Sequence, residues 1–227
     1  MEFNEQSNPW LALPDHPPYI LASDAQLIER FNASADDSAR IHLEIMPEPF
    51  LGRRGARVVL LNLNPGYSEE ERHFHSLDEY FRQAILDNLR DKPQAYPFYF
   101  LDPAVRSPGH LWWQQRLRTL VERSSAENVS RNLLCVEYFP YHSKRYDGGV
   151  PMVPSQQHSF ALVRAAIRRR AVIIVMRAQS LWTKAIPELS SARFHNLNSS
   201  QAVYITKNNC PTGFEAAVAA IEDDGTA

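Results

Sequence analysis

Four short apolar runs constrain this chain more than any other feature: Val58 to Leu61, Leu133 to Val136, Val172 to Val175 and Val203 to Thr206. They are rich in β-branched residues and bounded by turn-forming segments, so we read them as strands. Their apolarity is continuous rather than alternating, the pattern of strands covered on both faces, as in a parallel sheet flanked by helices. The intervening segments supply the helices. In SLDEYFRQAILDNLR, Ser76 and Glu79 have capping-box spacing, and Leu77, Tyr80, Phe81, Ala84, Ile85 and Leu89 recur at helical intervals. Further helices are expected over His110 to Glu122, Ser155 to Arg169, Ala178 to Ala185 and Gly213 to Ile221. The alternation predicts an α/β fold, a three-layer α/β/α sandwich around a central four-stranded parallel sheet with right-handed crossovers.

A length of 227 residues suits one domain, 1–227, with 222–227 expected as a frayed tail and Pro93 to Gly109 as a structured loop. Cys135 and Cys210 alone make neither a disulfide framework nor a Cys-rich metal or iron-sulfur site, which fits a reducing compartment. The segment MEFNEQSNPW has no basic stretch followed by an apolar one, and the apolar runs are too short to cross a bilayer. A cytoplasmic protein without a membrane partner is expected, and a monomer. The formal net charge of −2 means that any nucleic-acid footprint is local. The eight histidines show no His-Glu-x-x-His pattern, so no metal and no cofactor is expected.

In an open parallel sheet, ligands bind beyond the carboxyl ends of the strands. Here those ends carry Asn62-Leu63-Asn64-Pro65-Gly66-Tyr67, Glu137-Tyr138-Phe139-Pro140-Tyr141-His142-Ser143-Lys144, and Lys207-Asn208-Asn209-Cys210-Pro211-Thr212-Gly213. The first of these resembles the Gly-x-Asn-Pro-Gly motif of the uracil-DNA glycosylase superfamily, in its mismatch-specific and single-strand-selective branches. Phe100-Leu101-Asp102-Pro103 with Pro108-Gly109-His110-Leu111-Trp112-Trp113 is similar to that branch's aromatic loop and Pro-Gly-Asn-x-Phe-Trp region. Asn208-Asn209-Cys210-Pro211 stands where the superfamily often has His-Pro-Ser-Pro. The likeness spans Val58 to Ile221; Asn62 replaces the first glycine and Asn208 the histidine.

The resemblance implies a uracil-DNA glycosylase-like fold and a monofunctional DNA glycosylase, with DNA as partner and an abasic site as product. Asn64 would orient the hydrolytic water and Asn208 would donate to the departing base, making these the catalytic pair. Asn62, Leu63, Phe100 and Glu137 would bind the base. Tyr67, Ser143, Lys144, Lys207 and Thr212 would contact DNA through hydroxyl, charge or backbone donors. Phe98, Tyr99 or Phe100 supplies the stacking aromatic, with Phe100 the first choice. Glu137 occupies a strand end where uracil-specific relatives place an amide. An ionised Glu repels uracil O4 and accepts from the N4 amino group of cytosine, so a modified cytosine is favoured over uracil. Phage defence and base-excision repair both accommodate that activity. Each residue has a plainer reading beside this one. Asn-Pro-Gly is a common turn, Glu137 has Lys144 and Arg145 within reach as ion-pair partners, and loop aromatics anchor cores. Two further function classes stay open: a hydrolase of free nucleosides or nucleotides, and a nucleic-acid-binding module without catalysis.

Overall fold

The structure, a computed structural model, describes residues 8–199 and 201–223. Strands β1 (Phe50–Gly52), β2 (Val58–Asn62), β3 (Leu133–Glu137), β4 (Val172–Val175) and β5 (Phe194–Asn196) form one sheet in the order β1-β3-β2-β4-β5. All neighbours are parallel except β1, which runs antiparallel to β3. Helices α1 (Ala22–Asn32), α2 (Glu69–Leu77), α3 (Glu79–Leu89), α4 (Pro108–Arg123), α5 (Ala126–Asn132), α6 (Gln156–Arg168), α7 (Gln179–Ala185) and α8 (Pro211–Glu222) surround it. Strands β2 and β3 are buried along their whole length, as continuous apolar runs require.

Three of the four predicted strands form where expected, and the expected four-stranded parallel sheet becomes a five-stranded mixed one. Val203 to Thr206 is irregular. Val203 and Ile205 are buried there, but the Ile205 N–H goes to the Arg116 carbonyl of α4 instead of to a strand. The fourth parallel strand is instead β5, polar and only partly buried because it lies at the sheet margin. At the other margin β1 ends on Gly52, whose positive φ of 100° and contact with the Leu133 carbonyl leave no place for a Cβ. The helix expected from Ser76 starts later. Asp78 accepts the Phe81 N–H at 3.0 Å and caps α3, while the Ser76 hydroxyl turns back to the Arg72 carbonyl within α2. Of the expected tail, Glu222 closes α8 and Asp223 caps it; 224–227 lie outside the described residues.

The connections from β2 to β3 and from β3 to β4 cross the sheet in opposite directions, so right-handed crossovers put their helices on opposite faces. Helices α4, α5 and α8 pack together, with α8 against β2, β4 and β5, whereas α6 packs on β3. The arrangement is compatible with an α/β/α sandwich. It also makes the carboxyl ends of β2 and β3 a switch point, where neighbouring chains leave toward opposite faces, the position at which open α/β sheets bind ligands.

Candidate active site

Strand register builds the centre of this switch point. Asn62 stands directly across from Glu137, and paired residues of adjacent strands project from the same face. The Asn62 amide Nδ2 donates to Glu137 Oε1 at 3.0 Å. Both side chains are buried, with Asn62 5% and Glu137 2% exposed, yet Asn62 Oδ1 and Glu137 Oε2 have no hydrogen-bond partner. Burial pushes the Glu137 carboxyl up to about 8, against lowering by the Asn62 amide, the Arg177 charge and the Cys135 thiol. The acid is therefore mostly protonated at neutral pH. Lys144 and Arg145 do not pair with it: Lys144 binds Asp37 at 2.6 Å, and Arg145 binds Asp36 at 2.9 Å and Asp147 at 3.4 Å.

The next residues are clamped by the segment after β3. Leu63 accepts the Phe139 N–H through its carbonyl at 2.8 Å. Asn64 Nδ2 donates to Ser143 Oγ at 2.9 Å and to the Pro65 carbonyl at 3.0 Å, and the Ser143 hydroxyl in turn donates to the Arg145 carbonyl at 3.1 Å. Because the Ser143 proton is committed there, Ser143 Oγ serves Asn64 as an acceptor, which fixes the amide with Nδ2 inward and Oδ1 left to accept from elsewhere. The Gly66 carbonyl meets His142 Nδ1 at 2.6 Å, and the Pro65 carbonyl accepts the Ser143 N–H at 3.3 Å. Tyr67 stacks flat on His42, with ring centroids 3.3 Å apart, and its hydroxyl donates to Glu69. Ser143, buried, thus orients Asn64 from behind rather than meeting solvent.

The remaining predicted residues lie elsewhere. Phe100 is 2% exposed, tilted against Phe81 and Tyr99, and so close under α4 that a Cβ on Gly109 would sit 2.7 Å from its ring. It packs as core. Asn208 is exposed in the turn before α8, where it lines an open groove of about 810 Å³ with Arg118 and Tyr204. Lys207 pairs with Glu215 at 3.1 Å, and Thr212 Oγ1 lies 3.0 Å from His195 Nδ1. Among the described residues, no hydrogen bond or ion pair joins this group to Asn62, Asn64 or Glu137.

Sequence reasoning missed Arg177 and a buried acid layer. Arg177 follows β4, its N–H reaches the Leu61 carbonyl at 3.3 Å, its charge bears on Glu137, and its Nε is buried without a partner. Beneath, Glu48 accepts from the Tyr99 hydroxyl at 2.8 Å and Glu71 accepts the Gly109 N–H at 2.9 Å; burial raises both carboxyls. Glu48, His75 and His142 bring ligand-type atoms within 4.8 Å of one another. Both His142 nitrogens face carbonyl oxygens, of Gly66 and Met46, and His75 Nδ1 accepts the Met46 N–H, which leaves the proton on Nε2. None of these partners are neighbours in sequence, and only the fold reveals them. Compared with known protein families, curated proteins and solved structures, the chain matches none.

Proposed function

We propose that the protein is a monofunctional DNA glycosylase that hydrolyses the N-glycosidic bond of a flipped-out pyrimidine, a modified cytosine in preference to uracil, and leaves an abasic site in phage defence or base-excision repair. The supporting observation is the Asn62–Glu137 pair, two buried side chains that each keep one polar atom unpaired at the carboxyl ends of β2 and β3. An unpaired buried polar atom costs about 1–3 kcal/mol, and a base edge that bonds it recovers that energy. With Glu137 protonated, the pair offers one acceptor and one donor side by side, the complement of a pyrimidine pairing edge. A cytosine donates its N4 amino group to Asn62 Oδ1 and accepts the Glu137 proton at N3, a match held only while Glu137 is protonated.

Asn64, fixed by Ser143, presents Oδ1 to a water. An uncharged amide is a weak base, so catalysis rests on placing that water and on stabilising the departing base, a task suited to Arg177, whose charge acts on Glu137. The finer fold assignment, a three-layer sandwich of uracil-DNA glycosylase type, belongs to this proposal and draws support from the Asn-Pro-Gly turn at the end of β2. One observation favours a second reading, hydrolysis of a free nucleoside or nucleotide: Lys144, Arg145 and Lys207 are all paired with carboxylates instead of forming a bare basic face.

Oligonucleotides containing uracil, thymine mismatches or cytosines modified at position 5 test both. We expect alkali-labile breaks at a modified cytosine, abolished by Asn64→Ala. Base release from mononucleotides alone would decide for the second reading, and no release from any substrate would count against both.

A further inference from the structure

Between the turn before β2 and α6 lies a separate cavity of about 690 Å³. Its walls carry Arg54, from the turn before β2, and His158, Arg168 and Arg169 from α6 and its end, with Asp91 as the one carboxylate in the lining. His158 is 6% exposed, and both its ring nitrogens are buried with no hydrogen-bond partner. Arg54 Nε is likewise buried without a hydrogen bond and stands 3.7 Å from Asp91. Arg169 spends Nε and Nη2 on the Ala56 carbonyl, while Arg168 is exposed. Two unpartnered buried groups, the Arg54 Nε and the His158 imidazole, therefore share this cavity, with Arg168 and Arg169 lining it from the other end of α6, in a chain whose formal net charge is −2.

We infer that this cavity is a binding site for the phosphate group of a small organic phosphate, gripped by Arg54 and His158, with Arg168 and Arg169 adding positive charge from the other end of α6. Guanidinium donors match phosphate oxygens in number and planarity, and a doubly charged group offsets three cations better than one carboxylate does. Leu162 gives the same cavity an apolar wall for the organic part of the ligand. The recessed imidazole selects a small molecule over the backbone of a duplex, whose phosphates do not reach an almost fully buried ring. Burial and the Arg54 charge hold His158 down near 4, a penalty that a bound anion relieves. The site does not depend on the proposed glycosylase activity.

Calorimetric titration of the full chain with inorganic pyrophosphate, with adenosine 5′-monophosphate and with an unmodified oligonucleotide provides the test. Saturable one-site binding of pyrophosphate or the monophosphate is expected, weakened about tenfold or more by Arg54→Ala and by His158→Phe, which keeps the ring's bulk and removes both nitrogens. Arg168→Ala, at an exposed position that leaves the core intact, is expected to weaken it in the same direction. No saturable heat at millimolar ligand would overturn the inference. So would unchanged binding in both arginine variants, or binding of the oligonucleotide alone.

Discussion

The carboxyl ends of β2 and β3 and the turn leading into α8 carry the same residue type in opposite physical states. Asn62 is buried, with one amide atom bonded and the other unpaired, and Asn64 is clamped by Ser143 through Nδ2, which leaves Oδ1 to accept from elsewhere. In the turn, Asn209 spends its whole amide on the loop, donating to the Ala202 and Tyr204 carbonyls and accepting the Ser199 N–H. Asn208 beside it is exposed, and Lys207 and Thr212 are occupied by Glu215 and His195. A polar side chain whose bonds close locally holds a loop together; one that burial keeps unpaired is available to a ligand. On the proposed function, the chemistry belongs to the first region, and the loop bonds of Asn209 hold the second together.

The largest test of that contrast is a pair of substitutions. Asn64→Ala should lower the single-turnover rate of base release by about 10²–10³-fold, the scale of losing a positioned catalytic group, while Asn208→Ala should leave it within about twofold. A comparable loss in Asn208→Ala would break the comparison. Stability sharpens it next. The folded carboxyl of Glu137 binds its proton up to about 8, above its ordinary 4.5, so the folded state holds more protons across that window and stability falls as pH rises through it. Urea unfolding should show Glu137→Gln about 2–3 kcal/mol more stable than wild type at pH 9 and nearly equal at pH 4. The same titration bears on base binding: excision of a cytosine derivative, whose N3 accepts the Glu137 proton, should decline about tenfold as pH rises through about 8 in a pH–rate profile. Ser143→Ala, which frees the Asn64 amide to rotate, should cost about tenfold in kcat with KM unchanged. Lys207→Ala should alter stability by less than about 0.5 kcal/mol, since its ion pair is exposed.

The contrast also marks what the sequence made legible. Runs such as Val58 to Leu61 announce themselves because strands buried on both faces have no polar alternation, and three of them stand where read. The fourth misled, since Val203 and Ile205 fill core space from an irregular segment, whereas the true strand at Phe194–Asn196 is short, marginal and half polar. Asn62, Asn64 and Glu137 were visible as polar residues following apolar strands. Their bond was not, because it depends on a register between segments 75 positions apart. Ser143 was legible as a polar residue near the site but not as the group that orients Asn64, and Arg177 carried no local signal, being one arginine among many until the fold sets it beside Glu137.

The most direct test of the central claim is single-turnover release of free base from an oligonucleotide carrying a position-5-modified cytosine, followed in parallel for wild type, Asn64→Ala and Asn208→Ala. Release by wild type and Asn208→Ala, with near-silence from Asn64→Ala, is the predicted result. Equal release from all three, or release that vanishes only in Asn208→Ala, would contradict the assignment of chemistry to the ends of β2 and β3.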